Sequence, residues 1–289
     1  MAPLHCCRAH LSALAVAACA IAITAGCSSA EQPATSAAVA AAVQPTLADA
    51  LANATLVDLT QTFDKDTLVW PTSVRFRLDR VFDGTTPGGW HYAANDIHTS
   101  EHGGTHLDAP LHFTAGRHST DAVPLGRLVG PVVVVDVTAQ ADADADYQIT
   151  AEDLRAWEAQ HGAIPRDTRV LLRTGWSARW PNAERYLGTA LQGEAGVAQL
   201  HFPGLHPDAA TFLTRERRVA AVGIDTASLD HGQSRTFEAH RILGAANVPG
   251  FENLTNLERL PARGAVLVAL PMKIGGGSGG PLRAVALVP

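Results

Sequence analysis

Past residue 27 the chain contains no cysteine: all four, Cys6, Cys7, Cys19 and Cys27, lie at or before that position in a sequence of 289 residues. This excludes a disulfide framework, a thiolate metal ligand and a cysteine nucleophile from everything downstream, so a metal bound there must use His, Asp or Glu. Charged residues are sparse at 17%, the net charge is −6 at pH 7, and no basic patch stands out, which argues against nucleic acid as a partner. The longest apolar stretch, Leu11–Ile23, covers thirteen positions. A membrane-spanning helix needs roughly 20. There is no internal repeat and no dinucleotide-binding glycine fingerprint. The one glycine-rich run, Gly275–Gly280, lies between two strand patterns with no helix behind it, so it reads as a flexible hairpin and not as a phosphate cradle.

What the N-terminus does contain is a single arginine, Arg8, an apolar run and then Thr24-Ala25-Gly26-Cys27, the layout of an export signal. The ending resembles the bacterial lipoprotein cleavage box, with Cys27 as the lipidated residue, although Thr24 stands where Leu is usual. Residues 1–27 are therefore expected to be an export leader, and residues 28–45, rich in Ala and Ser, a tether. The expected location is outside the cytoplasm, on a membrane through the lipid. Loss of the leader moves the net charge from −6 to −7, because Arg8 is its only charge.

The densest chemistry is in His102–Phe113, HGGTHLDAPLHF. His102, His106, Asp108 and His112 are evenly spaced, and side chains at even spacing on a strand share one face. A straight strand would put His102 and His112 about 33 Å apart, whereas ligands of one metal each lie within roughly 2.0–2.2 Å of it. The backbone must therefore curl, helped by Gly103 and Gly104 and interrupted by Pro110. Imidazoles beside a carboxylate suit Zn²⁺ or Mn²⁺. A catalytic centre needs a further ligand from elsewhere, and His240 and Glu252 are a candidate pair. On the residues alone, His112 is a ligand, a base or a packed core histidine, and the cluster is a metal site or a hydrogen-bonded one.

Elsewhere strand patterns outnumber helical ones. Strands are expected at 56–60, at 74–78 with one wet face, at 132–137 buried on both faces, and at 169–173, 219–224, 265–270 and 282–288. Helices are expected at 151–160, opened by Thr150 and closed by Gly162, and from Pro207 to about residue 217, with a turn or two within 46–52. Residues 84–89 read as a turn, and the alternating Ala and Asp of 141–146 as a solvated acidic loop. The body, 46–289, is expected to be one α/β domain.

Over nearly all of that body the sequence resembles the metal-dependent cyclase-like hydrolases, which include bacterial kynurenine formamidase and isatin hydrolase. The resemblance runs through VDLT (57–60), Trp70-Pro71, HGGTHLDAPLHF (102–113), LLRTGW (171–176), FPGLHPDAA (202–210), VGIDTASLD (222–230), the spacing of His240 and Glu252, and PMKIGGGSGGPLRAVAL (271–287). It implies a swivelling β/β/α domain with a mixed, strand-rich core, assembled as a homodimer or larger homo-oligomer. It further implies that His102, His106 and Asp108 hold one divalent ion, Zn or Mn, and that Asp108 bridges to a second held by His240 and Glu252. His112 becomes the general acid/base and Trp70 lines the substrate pocket; Thr105, beside His106 in sequence, either supports a ligand from behind or simply packs. The activity implied is hydrolysis of a small amide, lactam or lactone by metal-activated water. A ligand-binding lipoprotein without turnover and a polyketide-type cyclase or dehydratase are the competing functions.

Overall fold

The computed structural model describes residues 46–289, which belong to one compact unit. The leader, the tether and Cys27 lie outside the described residues. Among the described residues twelve strands are present: β1 (Thr55–Asp58), β2 (Arg77–Thr85), β3 (His91–His98), β4 (His106–Asp108), β5 (Val129–Asp136), β6 (Gln148–Ile149), β7 (Arg169–Arg173), β8 (Gly204–Leu205), β9 (Ala221–Ile224), β10 (Gly250–Glu252), β11 (Val266–Pro271) and β12 (Gly279–Val288). No helix among those residues is long and apolar enough to cross a membrane.

Seven strands close on themselves in the order β12-β11-β5-β7-β9-β10-β4, with β4 pairing back to β12 and β1 added beside β12. β5, β7, β9 and β10 run parallel, and the remaining pairs are antiparallel. This mixed barrel is the strand-rich α/β fold expected from the sequence. Alternation sorts its side chains into two layers. Val132, Val134, Leu171, Leu107, Phe251, Leu267, Ala269, Ala284 and Ala286 fall in one apolar cluster. Val133, Val135, Val170, Leu172, Val222 and Ile224 point the other way, into a second cluster with Leu154, Trp157, Phe212, Leu213, Ala239 and Leu243 from the helices.

The helix Ala151–His161 forms as expected, with a reciprocal capping box between Thr150 and Asp153 and Gly162 at φ 82° beyond its end. The second expected helix is α-helical over Pro207–Thr211 and continues as a π-helix over Phe212–Arg217. Other expectations are corrected. Of the loop expected at 141–146, residues 141–143 instead end the helix Thr138–Ala143, whose Ala141 is buried against the core, while 144–146 are non-helical as expected. The strand expected at 74–78 starts instead at Arg77 and runs through Gly84, so the turn to β3 is confined to the residues after Thr85. The run 275–280 does connect the antiparallel strands β11 and β12 as a hairpin, but Gly279 and Gly280 belong to β12 and Thr120 Oγ1 donates to Gly279 O at 3.0 Å, so its last residues are held in the sheet.

Leu172 is fully buried between β7 and the helical layer. Leu172→Ala is expected to lower unfolding free energy by about 2–5 kcal/mol, read from denaturant midpoints. A loss below about 1 kcal/mol would mean that this layer does not carry the fold.

Candidate metal centre and active site

The His stretch curls as its spacing requires. Only His106–Asp108 is strand; Pro110–His112 is a 3₁₀ turn. On β4, Leu107 points into the barrel, which sends its neighbours His106 and Asp108 to the outer face, where the helix Glu238–Ala245 packs with His240 in its first turn. Glu252 arrives by register, because β10 pairs antiparallel with β4 and sets Glu252 directly opposite His106. Asp108 lies opposite Gly250 on one side and Gly279 on the other. A Cβ on Gly279 would come within 2.5 Å of His102 Cε1, so glycine there leaves the space through which His102 reaches the carboxylate.

Two ligand groups result, His102 with His106 and Asp108, and Asp108 with His240 and Glu252; within each, the donor atoms lie within 4.8 Å of one another. Asp108 belongs to both. Its Oδ1 lies 2.6 Å from His102 Nδ1 and 3.3 Å from His106 Nε2, and its Oδ2 lies 2.9 Å from His240 Nε2. His240 Nε2 is also 3.0 Å from Glu252 Oε1, and His106 Nε2 is 3.4 Å from Glu252 Oε2.

The set fits a divalent cation on a direct observation. His106 Nδ1 donates to Gly104 O at 2.9 Å, while its buried Nε2 has no hydrogen-bond partner. A buried ring nitrogen left bare toward two carboxylates is a metal-ligand arrangement, and imidazole with carboxylate suits Zn²⁺ or Mn²⁺. The electrostatics agree. Burial pushes the His106 imidazolium toward losing its proton, but the Asp108 carboxylate, 3.3 Å away, and the charge of Glu252 raise its pKa to about 9. His240 is likewise opposed by burial and yet raised well above its ordinary value by Asp108, Asp230 and Glu252. Burial and the Asp108 charge raise Glu252. In the metal-free protein, protons stand where a cation would otherwise sit.

His112 is in neither group. Its ring stacks on His102 with centroids 3.8 Å apart. Burial lowers its pKa, Asp108 opposes this, and the neighbouring charges of His102, His240 and His106 help take it to about 4. It is therefore neutral at pH 7. Trp70 lines the cavity over the ligand groups together with Phe113, Phe237 and Ser228, in a volume of about 190 Å³. A larger cavity of about 290 Å³ beside the helix Ala151–His161 is apart from both ligand groups. The Thr105 hydroxyl bonds to backbone and not to a ligand side chain. Its hydroxyl donates to Asn253 O at 2.7 Å and accepts from Gln61 N at 2.8 Å, pinning the backbone beside His106 and Glu252.

Several functional residues escape a sequence reading. Asp230 accepts from His240 Nδ1 at 2.6 Å and from the backbone N–H groups of Ala239 and His240. It thus caps the helix and fixes which nitrogen of His240 faces the cluster. Nothing in VGIDTASLD distinguishes Asp230 from Asp225, which is buried elsewhere, raised by burial to about 6, and binds Thr174 and Gly175. Phe237 lines the cavity from an αL conformation, φ 48°, that no local pattern announces.

Residues 57–231 match the model of a family described as "Putative cyclase". The chain is 35% identical to the isatin hydrolase of Roseibium aggregatum over 82% of its own length and 88% of that protein, and 31% identical to the kynurenine formamidase of Maricaulis maris over 80% and 97%. Among solved structures, isatin hydrolase A from Ralstonia solanacearum superposes with a TM-score of 0.76 at 36% identity, covering 86% of this chain and 100% of that one. An isatin hydrolase bound to the product analogue thioisatinate gives 0.74 at 32% identity, covering 82% and 94%. With the family model spanning more than half the chain and relatives above 30% identity matching over most of their length, the protein belongs to the cyclase family of metal-dependent hydrolases.

Proposed function

We propose that the protein is a metal-dependent amidohydrolase that opens a small aryl lactam of the isatin type, with aryl formamides as the related class. The observation that carries this reading is the wall of aromatic rings over the ligand groups. Trp70 and Phe237 have centroids 6.2 Å apart, and Phe237 and Phe113 lie 4.9 Å apart with a 30° tilt, a shape that favours a flat ring. Residues His102, His106, Asp108, His240 and Glu252 would hold the cation. A divalent ion bound there supplies a Lewis acid and lowers the pKa of water from about 15.7 toward about 7.

The chain's own groups supply the rest. His112 is neutral, held in place by its stack on His102, so its free ring nitrogen can accept a proton from the attacking water and then pass that proton to the departing nitrogen. The aromatic wall orients the ring and excludes water. The Ser228 residue is only 4% exposed yet faces the cavity, so its hydroxyl is available to a polar group of the substrate.

Assembly follows from the hairpin of β2 and β3. Val74, Leu78, Val81, Phe82, Trp90, Tyr92 and Ile97 are all exposed, and β2 and β3 pair only with each other. A lone two-stranded hairpin is marginal in water, and a segment of this length matches one side of a standard interface, about 20–30 residues. A second copy of the chain is the occupant we assign, because the same chain offers an open groove lined by Phe63, Leu270, Pro271 and Met272.

Stripping the protein with chelator is expected to abolish hydrolysis of isatin and N-formylkynurenine, with Zn²⁺ or Mn²⁺ restoring it. His112→Ala should keep the metal and lose about 10²–10⁴ in kcat, whereas Asp108→Ala should lose both. Saturable binding of these compounds without turnover would instead make the protein a ligand carrier.

The sign of the pH effect follows from His106, raised to about 9, and His240, raised also. Both are protonated at pH 7 without metal, so loading releases protons and apparent affinity rises with pH toward 9. Titration calorimetry in buffers of different ionisation enthalpy reads the number released; zero at pH 7 contradicts the assignment.

For the hairpin, sedimentation of the purified full chain is expected to give a dimer or larger species, and Val81→Asp with Phe82→Asp to give a monomer. A wild-type monomer at micromolar concentration overturns this assembly.

A further inference from the structure

Each histidine facing the ligand groups has its other ring nitrogen tied down, but the ties differ. His106 uses a backbone carbonyl and His240 uses the Asp230 carboxylate. His102 uses Ser278, on the glycine-rich segment 275–280 that the sequence leaves without a role. His102 Nε2 lies 2.9 Å from Ser278 Oγ, and Ser278 Oγ lies 2.6 Å from Glu101 Oε2.

Proton accounting fixes the direction of this chain. A serine hydroxyl has one proton, and a carboxylate only accepts. The short contact to Glu101 therefore takes the Ser278 proton, which leaves the Ser278 oxygen as acceptor and requires His102 Nε2 to carry a hydrogen. His102 Nδ1 is then the nitrogen that faces the cluster, 2.6 Å from Asp108 Oδ1. A proton bridges the two atoms at that distance, and a bound divalent ion would displace it and take the Nδ1 lone pair.

The backbone is built to keep Ser278 there. Its N–H donates to the same Glu101 oxygen at 3.0 Å, and its carbonyl accepts from Ala109 N at 2.9 Å, next to Asp108. A Cβ on Gly277 would lie 2.7 Å from Glu101 Oε1 and one on Gly279 would lie 2.5 Å from His102 Cε1, so the serine is flanked by the two residues that let the loop lie flat on Glu101 and His102. Thr120 Oγ1 lies 3.1 Å from Gly277 O and 3.0 Å from Gly279 O, clamping both sides.

We propose that Glu101 and Ser278 are positioning residues for the metal centre: a hydrogen-bond relay from carboxylate to hydroxyl to imidazole selects the His102 tautomer that offers Nδ1 to the divalent ion. This rests on the metal-binding reading above. His102 depends on the relay more than the other two histidines do, because its side chain is 18% exposed against 2% for His106 and 5% for His240. Packing alone does not hold it.

The test is equilibrium binding of Zn²⁺ and of Mn²⁺ to the metal-stripped full chain. Ser278→Ala is expected to weaken binding about 10–100-fold, with Ser278→Thr, which keeps the hydroxyl, returning affinity toward wild type. Glu101→Gln keeps the shape and is expected to weaken binding less than Ser278→Ala. In nitrogen-15 spectra of the Zn²⁺-loaded protein, the protected His102 Nε2–H signal should be present in wild type and exchange-broadened in Ser278→Ala. Unchanged affinity in both Ser278→Ala and Glu101→Gln overturns the relay while leaving the metal centre standing. A wild type that binds neither ion overturns the metal reading itself, and the relay with it. Should Ser278→Ala fail to fold, the Glu101→Gln affinity decides alone.

Discussion

The closing seam of the barrel is the constraint on which everything else depends. β4 is three residues long, yet it pairs with β10 on one edge and β12 on the other, so the strand that completes the ring also carries two ligands. Because strand pairing alternates faces, Leu107 and Phe251 enter the apolar interior while His106, Asp108 and Glu252 emerge together on the far side. A one-residue slip of β4 at this seam would turn His106 and Asp108 into the core. Fold and site are therefore specified by the same register. The glycines opposite Asp108 extend the point: a Cβ at 279 would come within 2.5 Å of His102 Cε1, and one at 250 within 2.6 Å of Leu229 Cδ1.

The second constraint is charge. Asp108, Glu252 and Asp230 are buried together, each of them at most 4% exposed, and buried carboxylates need compensation. The protein supplies it with imidazoles, which explains why His106 and His240 hold protons more tightly than a free histidine while Asp108 is driven well below the usual carboxylate range despite its burial. The same field acts on His112 with the opposite result, because burial and its cationic neighbours outweigh the attraction of Asp108. The histidines of one pocket thus divide into those that compensate the carboxylates and one that stays neutral.

Much of this is legible in the sequence because the ligands cluster: four chemical residues in twelve, interrupted by Gly-Gly and Pro, already constrain the path of the backbone. Buried parallel strands such as 132–137 are legible for a similar reason, since β-branched runs have few other uses. Three things are not. Asp230 lies ten residues from the histidine it holds, across a loop whose path only the barrel determines. The segment 275–280 reads as slack chain, since glycines chosen for close approach look the same as glycines chosen for flexibility. The helix Thr138–Ala143 is announced by alternating Ala and Asp that mimics a solvated loop, and only the burial of Ala141 reveals its inner face.

The even spacing from His102 to His112 misleads at its last step, and the reason bears on the chemistry. Four residues of continued strand would carry His112 about 13 Å beyond Asp108 on the same face. Pro110 ends the pairing instead, and the 3₁₀ turn Pro110–His112, with His112 N bonded to Ala109 O at 2.8 Å, folds the ring back over His102. His112 therefore arrives beside the ligand groups without joining them. One more ligating side chain there would leave less of the centre open, and an open position is what separates a catalytic metal site from a structural one. The proline that breaks the strand is thus the residue that keeps the proton carrier free.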